Sequence, residues 1–343
     1  MTSIPLLVGV IILVALAFDF INGFHDAANS IATVVATRVL TPLQAVAWAA
    51  GFNFIAAFTM GTGVAKTVGA GMIDLQYVTP NVILAGLLGA ITWDLITWWF
   101  GLPTSSSHAL LGGYGGAAMA RVAHLKGLDR TFDALIAGPW IKTLVFIVIA
   151  PLMGMAIAYL LMIAVYWLFK DASPQKMDNY FRKAQLVSSA LLSYSHGGND
   201  AQKTAGIITG VLVTSGMLAK FEVPGWVIFA AYSAIALGTL SGGWRIVHTM
   251  GSRLTRLKPR SGFCAETAAA ITIQFASDIM KLPVSTTHVT AGAIAGVGAI
   301  QRLKAVRWGV ATNILWAWVL TIPAAAIVGW VSMRVLEFLP EAR

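Results

Sequence analysis

Two short motifs place acidic and amide side chains inside long apolar stretches. They read Asn22-Gly-Phe-His-Asp-Ala-Ala-Asn-Ser30 and His196-Gly-Gly-Asn-Asp-Ala-Gln-Lys-Thr204. Asp26 and Asp200 align at a separation of 174 residues. An Asp at the centre of a membrane helix costs roughly 2.5–3.5 kcal/mol on insertion scales, so two at matched positions indicate function. Paired carboxylates favour a bound cation or a carried proton. The alternatives are a structural Asp that caps a broken helix and an Asp neutralised by a lysine.

A second pair of motifs places hydroxyl groups after a proline. Leu102-Pro-Thr-Ser-Ser-Ser-His108 and Leu282-Pro-Val-Ser-Thr-Thr-His288 lie 180 residues apart, and we name residues 103–108 tip 1 and residues 283–288 tip 2. Each proline stops one helix, and the hydroxyl residues can cap the next. The first N–H groups of a helix lack internal partners and attract anions. One tip alone is best explained as an ordinary N-cap, whereas two opposed tips would suit a tetrahedral oxyanion. The predicted oxyanion contacts are Thr104, Ser105, Ser106, Ser107, Ser285, Thr286 and Thr287.

Histidines stand beside all four motifs. His108 and His288 end the two tips, and His25 and His196 flank the acidic motifs. A histidine in a membrane helix is either a satisfied packing residue, a proton relay or an orienter of a nearby hydroxyl, and the sequence leaves these roles open. We place His25 and His196, together with Asn22, in the predicted cation and proton site.

Lys203 breaks the likeness between the two acidic motifs. It takes the place that Asn29 has in the first motif, three residues after the Asp. Its ammonium either supplies a fixed positive charge where a sodium ion would otherwise sit, or it neutralises Asp200 for membrane insertion. Asp26, Asn29, Asp200 and Lys203 are therefore the predicted centre of cation or proton coupling, with no metal held by the protein alone and no cofactor.

The composition is that of a polytopic membrane protein. The chain has 343 residues, of which 57% are hydrophobic and 11% charged, and its mean hydropathy is +0.77. About a quarter of the residues in a soluble domain are charged. The net charge of +9 fits the cytoplasmic bias of loop Lys and Arg better than nucleic-acid binding. Cys264 is the single cysteine, so no internal disulfide can form.

The apolar runs predict an all-α protein in which the second half repeats the plan of the first. We expect about 10 spans plus two re-entrant helical hairpins. In the first half, the predicted elements are a discontinuous helix over 4–38 interrupted near Asn22-Gly23, spans at 43–65 and 81–101, a short helix over 105–120, and two spans or one kinked span over 135–169. In the second half, they are a broken helix over 184–213 interrupted at 196–203, spans at 225–244 and 263–281, a helix ending near 300, and a closing segment over 308–337.

Basic loops set the predicted orientation. The positive-inside rule places residues 121–130, 170–183 and 245–260 in the cytoplasm, and both termini outside. The halves are then inverted repeats, residues 1–170 and 184–343, joined by a cytoplasmic linker over 171–183. Inverted repeats with discontinuous helices are typical of secondary transporters whose site lies near mid-membrane. The exception to this orientation is a basic cluster on the outer side, formed by Arg302, Lys304 and Arg307.

The motifs resemble those of the PiT family of inorganic phosphate transporters, and most closely its bacterial Pit branch. The resemblance spans about residues 16–325 and rests on the stretches 21–29, 195–203 and 283–288. It implies a homodimer in the lipid bilayer of the inner membrane that imports phosphate and binds no nucleic acid. It assigns phosphate contact to Ser105, Ser106, Ser285, Thr286, Thr287 and Asn199, and cation or proton work to Asp26, Asn29 and Asp200.

Two departures from that family bear on coupling. His25 and Lys203 stand where sodium-coupled members have Asn, and each change removes an amide oxygen, a ligand that hard cations prefer. We therefore expect proton symport, with a neutral divalent metal–phosphate complex as one form of the cargo. A sodium-coupled phosphate or sulfate permease is the alternative within the family. An intramembrane serine hydrolase and a channel are the alternatives from other classes; the chain lacks a Gly-x-Ser-x-Gly elbow, and we expect no enzyme.

Overall fold

The computed structural model describes residues 3–301 and 306–338, and these ranges are built from α-helices with short 3₁₀ and π segments. The predicted all-α class is confirmed. The helices of the described ranges are α1 Ser3–His25, α2 Ala27–Ala36, α3 Pro42–Ile55, α4 Gly63–Lys66, α5 Pro80–Phe100, α6 Ser106–Lys126, α7 Ala137–Leu168, α8 Pro174–Thr214, α9 Gly225–Ser241, α10 Trp244–His248, α11 Pro259–Gln274, α12 Thr286–Gln301 and α13 Trp308–Leu336. Arg302 and Lys304, two of the predicted outer cations, lie outside these ranges.

Four segments of the described chain are long and apolar enough to cross a membrane. They are Ile4–Ala36, Pro80–Phe100, Ala137–Leu168 and Trp308–Leu336, and the number rises to six if each of two bent helix pairs is one span. These apolar segments agree with a multi-pass membrane protein. The helices that carry most of the site are shorter or more polar than these four. Their polar site residues lower their mean hydropathy.

Capping residues fix where several helices begin. Thr41 and Gln44 form a capping box ahead of α3, and Pro42 and Pro80 occupy first-turn positions that need no N–H donor. The backbone N–H of Val82 donates to the Thr79 hydroxyl at 3.3 Å. These local signals explain why the predicted starts near 43 and 81 agree with the structure to within about a residue.

Two predicted membrane segments are bent rather than straight. The 43–65 prediction is wrong, because Pro42–Phe58 and Gly63–Gly71 meet at 79° across residues 59–62. The 225–244 prediction is wrong at its end, because Gly225–Ser241 and Trp244–Arg253 meet at 63° beside Gly242, whose φ is +67°. A glycine tolerates this positive φ without the steric cost that other residues meet, so the chain turns there.

The acidic motifs interrupt their helices less than the sequence predicted. In the first motif the break lies at Asp26, between α1 and α2, and not near Asn22-Gly23. In the second motif the predicted break over 196–203 is wrong, because α8 is continuous from Pro174 to Thr214. Lys203 lies one turn from Asp200 and pairs with it, so the carboxylate is satisfied without opening the helix.

The structure also defines two connections that the sequence left open or placed differently. Of the two possibilities predicted for residues 135–169, the structure has one helix, α7 over Ala137–Leu168, which contains Pro151, and not two spans. Most of the predicted linker over 171–183 belongs to α8, which begins at Pro174 after the N-cap Ser173. Proline at the first helical position needs no N–H partner, and this capped start extends the helix into the polar stretch.

Each helical hairpin packs against a helix from the other half of the chain. The hairpin of α5 and α6 packs against α13, and the hairpin of α11 and α12 packs against α7. Buried apolar residues form two large clusters, one centred on α1, α5 and α6 and the other on α2, α11 and α12. Each tip is therefore supported by the last helix of the opposite half.

Close backbone contacts hold α1 against α9. A Cβ atom added at Gly238 would lie 2.0 Å from the Phe20 carbonyl oxygen, and one at Gly23 would lie 2.3 Å from the Ile235 carbonyl oxygen. Small residues at such crossings let membrane helices approach closely. This contact fixes the helix that carries the first acidic motif.

Candidate functional site

Tip 1 begins α6 and presents two of its hydroxyls to the centre of the molecule. The backbone N–H of His108 donates to the Ser105 hydroxyl at 3.2 Å, so Ser105 is the N-cap. Thr104 donates to the Thr97 hydroxyl at 2.9 Å and thus faces α5. Thr104 also lies 3.4 Å from His25 Nε2. Ser106 and Ser107 are the tip 1 hydroxyls that contact Asp26 and Lys203.

Tip 2 repeats this arrangement at the start of α12. The backbone N–H of His288 donates to the Ser285 hydroxyl at 3.1 Å, which again makes the first tip serine the capping residue. The Asn29 amide donates to the hydroxyls of Thr286 and Thr287 at 3.0 and 2.9 Å. The first acidic motif is thereby joined to the tip of the other half.

The two tips touch each other. The Ser107 hydroxyl donates to the Val284 carbonyl oxygen at 3.4 Å, and the rings of His108 and His288 meet edge to face at 4.8 Å between centroids. Trp318 of α13 stacks on His288 at 3.7 Å and donates from its indole N–H to the Pro103 carbonyl oxygen at 2.9 Å. One tryptophan therefore contacts both tips.

Asp26 lies between the tips. Its Oδ1 is 2.6 Å from His25 Nδ1 and accepts a hydrogen bond from the Ser106 hydroxyl at 3.4 Å. Its Oδ2 accepts from the Thr287 hydroxyl at 3.4 Å. The opposite ring nitrogen of His25 is 3.0 Å from the Thr97 hydroxyl, which orients the imidazole.

Asp200 occupies the matching position in the second motif. Its Oδ1 pairs with Lys203 Nζ at 2.5 Å, and its Oδ2 lies 3.2 Å from His196 Nε2 and 3.4 Å from the Thr286 hydroxyl. Asn53 Oδ1 lies 3.3 Å from the second nitrogen of the His196 ring. Asp200 is thus compensated by a lysine and contacts tip 2.

Lys203 connects the second motif with both tips. Besides Asp200, its ammonium donates to the Ser107 hydroxyl of tip 1 and to the Val284 carbonyl oxygen of tip 2 at 3.1 Å. A lysine ammonium has three N–H donors, and these three contacts use all of them. The positive charge is fixed at the point where the tips meet.

One group of side chains at this centre could hold a cation. Ligand atoms of Asp26, His196 and Asp200 all lie within 4.8 Å of one another. Two carboxylates and an imidazole are plausible ligands for a divalent ion, and the carboxylates alone suit sodium. Lys203 already places an ammonium against Asp200, which weakens the case for a resident metal.

The site residues are buried in the interior of the molecule. Each of the predicted site residues is 0–3% exposed, and these are Asn22, His25, Asp26, Asn29, Thr104, Ser105, Ser106, Ser107, His108, His196, Asn199, Asp200, Lys203, Ser285, Thr286, Thr287 and His288. The conformation is therefore occluded.

Some predicted residues lie apart from the point where the tips meet. Asn199 donates to the Ser277 hydroxyl at 2.5 Å, in the π-helical segment Phe275–Ile279 that follows α11. Asn22 lies one turn before Asp26 on α1, and its Oδ1 is buried without a hydrogen-bond partner. Both side chains border the centre from α8 and α1 without contacting a tip hydroxyl.

Three buried carboxyl groups near this centre were missed in the sequence analysis. Asp19, Asp94 and Glu266 are all 0% exposed. Glu266 accepts hydrogen bonds from Thr33 at 2.6 Å, Gln185 at 2.8 Å and Ser188 at 2.5 Å, whereas neither oxygen of Asp19 or Asp94 has a partner. The signal was available in the sequence, because an acidic residue inside an apolar helix is a functional candidate even without a repeated motif.

Comparison with known proteins assigns the chain to a family. The sequence model of the phosphate transporter family matches residues 22–329. A "Probable low-affinity inorganic phosphate transporter" of Rhizobium meliloti is 55% identical over 95% of both chains. A protein of the same description from Bacillus subtilis is 43% identical over 96% of this chain and 97% of its own.

A solved structure has the same fold. "The sodium-dependent phosphate transporter" superposes with a TM-score of 0.86 at 24% identity, covering 97% of this chain and 100% of its own. At that identity the likeness concerns the fold, whereas the family match and the two relatives concern the sequence itself. The chain is a transporter and not an enzyme, and it belongs to the phosphate transporter family.

Proposed function

We propose that this chain imports inorganic phosphate across the inner membrane by alternating access, in symport with protons. The observation that carries the proposal is the meeting of two Ser/Thr-rich helix starts over Asp26 and Asp200, with every side chain involved 0–3% exposed. Each helix start offers N–H groups without internal partners and the positive end of a helix dipole. Two of them directed at one point form a receptor for a small anion.

The hydroxyl and carboxyl groups favour phosphate over sulfate. Ser106, Ser107, Thr286 and Thr287 supply donors, and Asp26 and Asp200 supply acceptors, at that same point. Phosphate near neutral pH carries both bare oxygens and protonated ones, so it can accept from the hydroxyls and donate to the carboxylates. Sulfate has no proton to donate, and a carboxylate would repel it.

Lys203 supports coupling to protons rather than to sodium. Its ammonium lies 2.5 Å from Asp200, at the place where the first motif has Asn29. A fixed ammonium excludes a second cation from the same carboxylate oxygen. The ammonium offsets one of the two carboxylates at the centre, which lowers the electrostatic cost of bringing an anion or a neutral divalent metal–phosphate complex there.

Sodium coupling is the second candidate, and one observation favours it. The ligand atoms of Asp26, His196 and Asp200 lie within 4.8 Å of one another, a spacing that a cation can bridge. Sodium uptake at this centre would require the Lys203 ammonium to move away from Asp200. The two candidate functions therefore differ in whether the Lys203–Asp200 ion pair has to break.

We also propose that the chain consists of two inverted-topology repeats, residues 1–170 and 184–343, each with a re-entrant hairpin that ends in a tip. The exchange of α7 and α13 between the hairpins and the bent pairs at 79° and 63° support this repeat. Rocking of one repeat against the other would open the site to each side in turn. The PiT resemblance supports a homodimer, and the basic loops support a cytoplasmic linker with external termini.

Uptake into proteoliposomes tests the proposal. We expect labelled phosphate to exchange by counterflow, to accumulate under an inward proton gradient and to ignore sodium, while sulfate competes poorly. Asp200→Asn leaves Lys203 unpaired and removes an acceptor for protonated phosphate, so transport should be lost while the protein stays folded. Accumulation driven by sodium without a proton gradient would contradict the coupling, and normal uptake by Asp200→Asn would remove that residue from the mechanism.

A further inference from the structure

Asp19 is a buried carboxyl group with no compensating contact. It lies on α1, is 0% exposed, and neither of its oxygens has a hydrogen-bond partner. Among the carboxyl groups of residues 3–301 and 306–338, Asp94 is the only other one in which both oxygens are buried without a hydrogen-bond partner. Asp94 borders the His25–Asp26 pair and belongs to the site already described.

The polar groups around Asp19 offer it no cation. Thr204 and Asn22 are the neutral polar side chains within reach of its carboxyl group. The Thr204 hydroxyl and the Asn22 carbonyl oxygen are themselves buried and unpartnered. Three unpartnered oxygen-bearing groups thus face one another in the interior, which is the arrangement that a small cation or a proton would satisfy.

Nearby charged and titratable groups are already engaged. On α8, the Asp200 carboxylate also acts on Asp19, and it is paired with Lys203. Lys203 donates to Asp200, Ser107 and Val284 and has no N–H left. On α9, the Tyr232 hydroxyl donates to the Gly198 carbonyl oxygen at 3.5 Å. An ionised Asp19 would therefore be a buried charge without a partner, and such groups are neutralised in proteins.

We propose that Asp19 carries a transported proton, as a coupling site separate from the phosphate centre; this assignment rests on the proposed proton symport. In the occluded conformation the group is the carboxylic acid, and its O–H can donate to Thr204 or Asn22. Opening toward one face lets the carboxylate take up H⁺ from water, and opening toward the other lets the acid release it. The step forms and breaks one O–H bond and needs no other reactant.

The position of Asp19 links it to the substrate. Asp19 and Asn22 lie three residues apart on one face of α1, and Asp26 follows Asn22 by four residues at the end of that helix, where its N–H still donates to the Asn22 carbonyl oxygen. Seven residues of helix place Asp19 about 10 Å from Asp26 along the axis. At that separation inside a membrane protein an ionised Asp19 repels a bound anion, and a protonated one does not. Proton binding and phosphate binding therefore favour each other.

The test compares wild type, Asp19→Asn and Asp171→Asn in proteoliposomes, with Asp171 as an exposed control. Asn resembles the protonated carboxyl and cannot release a proton. We expect Asp19→Asn to keep phosphate counterflow at equal pH and to lose concentrative uptake. A one-unit pH gradient supports up to about tenfold accumulation for each coupled proton, and the factor coupled through Asp19 should be lost in this variant and remain in the control.

Each outcome of the test is decisive. Wild-type accumulation by Asp19→Asn overturns the assignment, and so does the loss of both counterflow and accumulation by a folded variant, since that marks a structural role. If Asp19→Asn does not fold, Asp19→Glu is expected to move the pH midpoint of accumulation relative to Asp171→Glu, and an unchanged midpoint overturns the assignment. Failure of the wild type to respond to a pH gradient would instead refute the proposed symport itself.

Discussion

Replacing Lys203 by Asn tests whether its ammonium stands in for a coupling cation. The variant removes the positive charge that lies 2.5 Å from Asp200 and gives the second motif the amide that the first motif has in Asn29. Breaking a buried ion pair by removing one partner costs about 3–5 kcal/mol, because the other charge is left alone. We expect Lys203→Asn to be destabilised by that amount in sodium-free buffer.

Sodium should recover part of the lost stability in this variant. Asp26, His196 and Asp200 already place ligand atoms within 4.8 Å of one another, and the new amide adds an oxygen. A ligand at 100 times its Kd stabilises the folded state by about 2.7 kcal/mol. The predicted behaviour is a thermal unfolding midpoint that rises when choline chloride is exchanged for sodium chloride.

The assay is thermal unfolding of purified protein in detergent, paired with phosphate uptake in the same two salts. Lys220→Asn is the matched control, because Lys220 is exposed. Wild type and control should show no sodium-specific shift, whereas Lys203→Asn should gain both stability and uptake from sodium. A sodium response equal to that of the wild type would refute the idea that the ammonium occupies a cation position.

Two further predictions concern the frame around the site. Glu266→Gln replaces an acceptor of three hydrogen bonds by an amide that also donates, so stability should fall by about 1.5–3 kcal/mol. Glu222→Gln at an exposed position should not change it. Equal unfolding midpoints of the two variants would count against a stabilising role of these three hydrogen bonds. Gly238→Ala puts a Cβ 2.0 Å from a carbonyl oxygen of α1 and should destabilise the α1–α9 contact by about 1–3 kcal/mol. As the control, a Cβ added at Gly9 meets nothing within 4 Å, so Gly9→Ala should be neutral or slightly stabilising. Similar losses of stability in the two glycine variants would contradict the close packing of α1 and α9.

The parts of the fold that depend on local chemistry were predictable. Proline followed by Ser or Thr specified both tips, and the start of α5 follows from Pro80 and its capping threonine. The helical class followed from composition and apolar runs. In each case the residues that decide the structure are neighbours in sequence.

The parts that depend on distant or compensating contacts were not predictable. The second acidic motif looks like a helix break until Lys203 is seen to neutralise Asp200 within a turn of α8. The bends after α3 and α9 were missed because the apolar composition continues through each bent pair. Asp19 lies outside the repeated motifs and was missed for that reason, although an acidic residue inside an apolar helix is itself a signal. That neither of its oxygens has a partner is visible only in the structure.

The choice among the tip hydroxyls also required the structure. Both tips have three or four candidates in a row, and the first serine of each is used to cap its helix. Thr104 contacts Thr97 and His25 instead of a carboxylate. The spacing could predict a hydroxyl-rich tip, whereas the direction of each hydroxyl depends on the helix that follows it.

Counting the phosphate ions bound to each chain tests the central claim most directly. If the tips enclose one anion, equilibrium binding gives one phosphate per chain, and Ser106→Ala in tip 1 and Thr287→Ala in tip 2 both weaken that same site. Loss of a hydrogen bond to a charged group costs about 1.5–3 kcal/mol, which raises Kd roughly 10- to 150-fold. Two phosphates per chain, with each substitution removing one of them, would contradict a shared site.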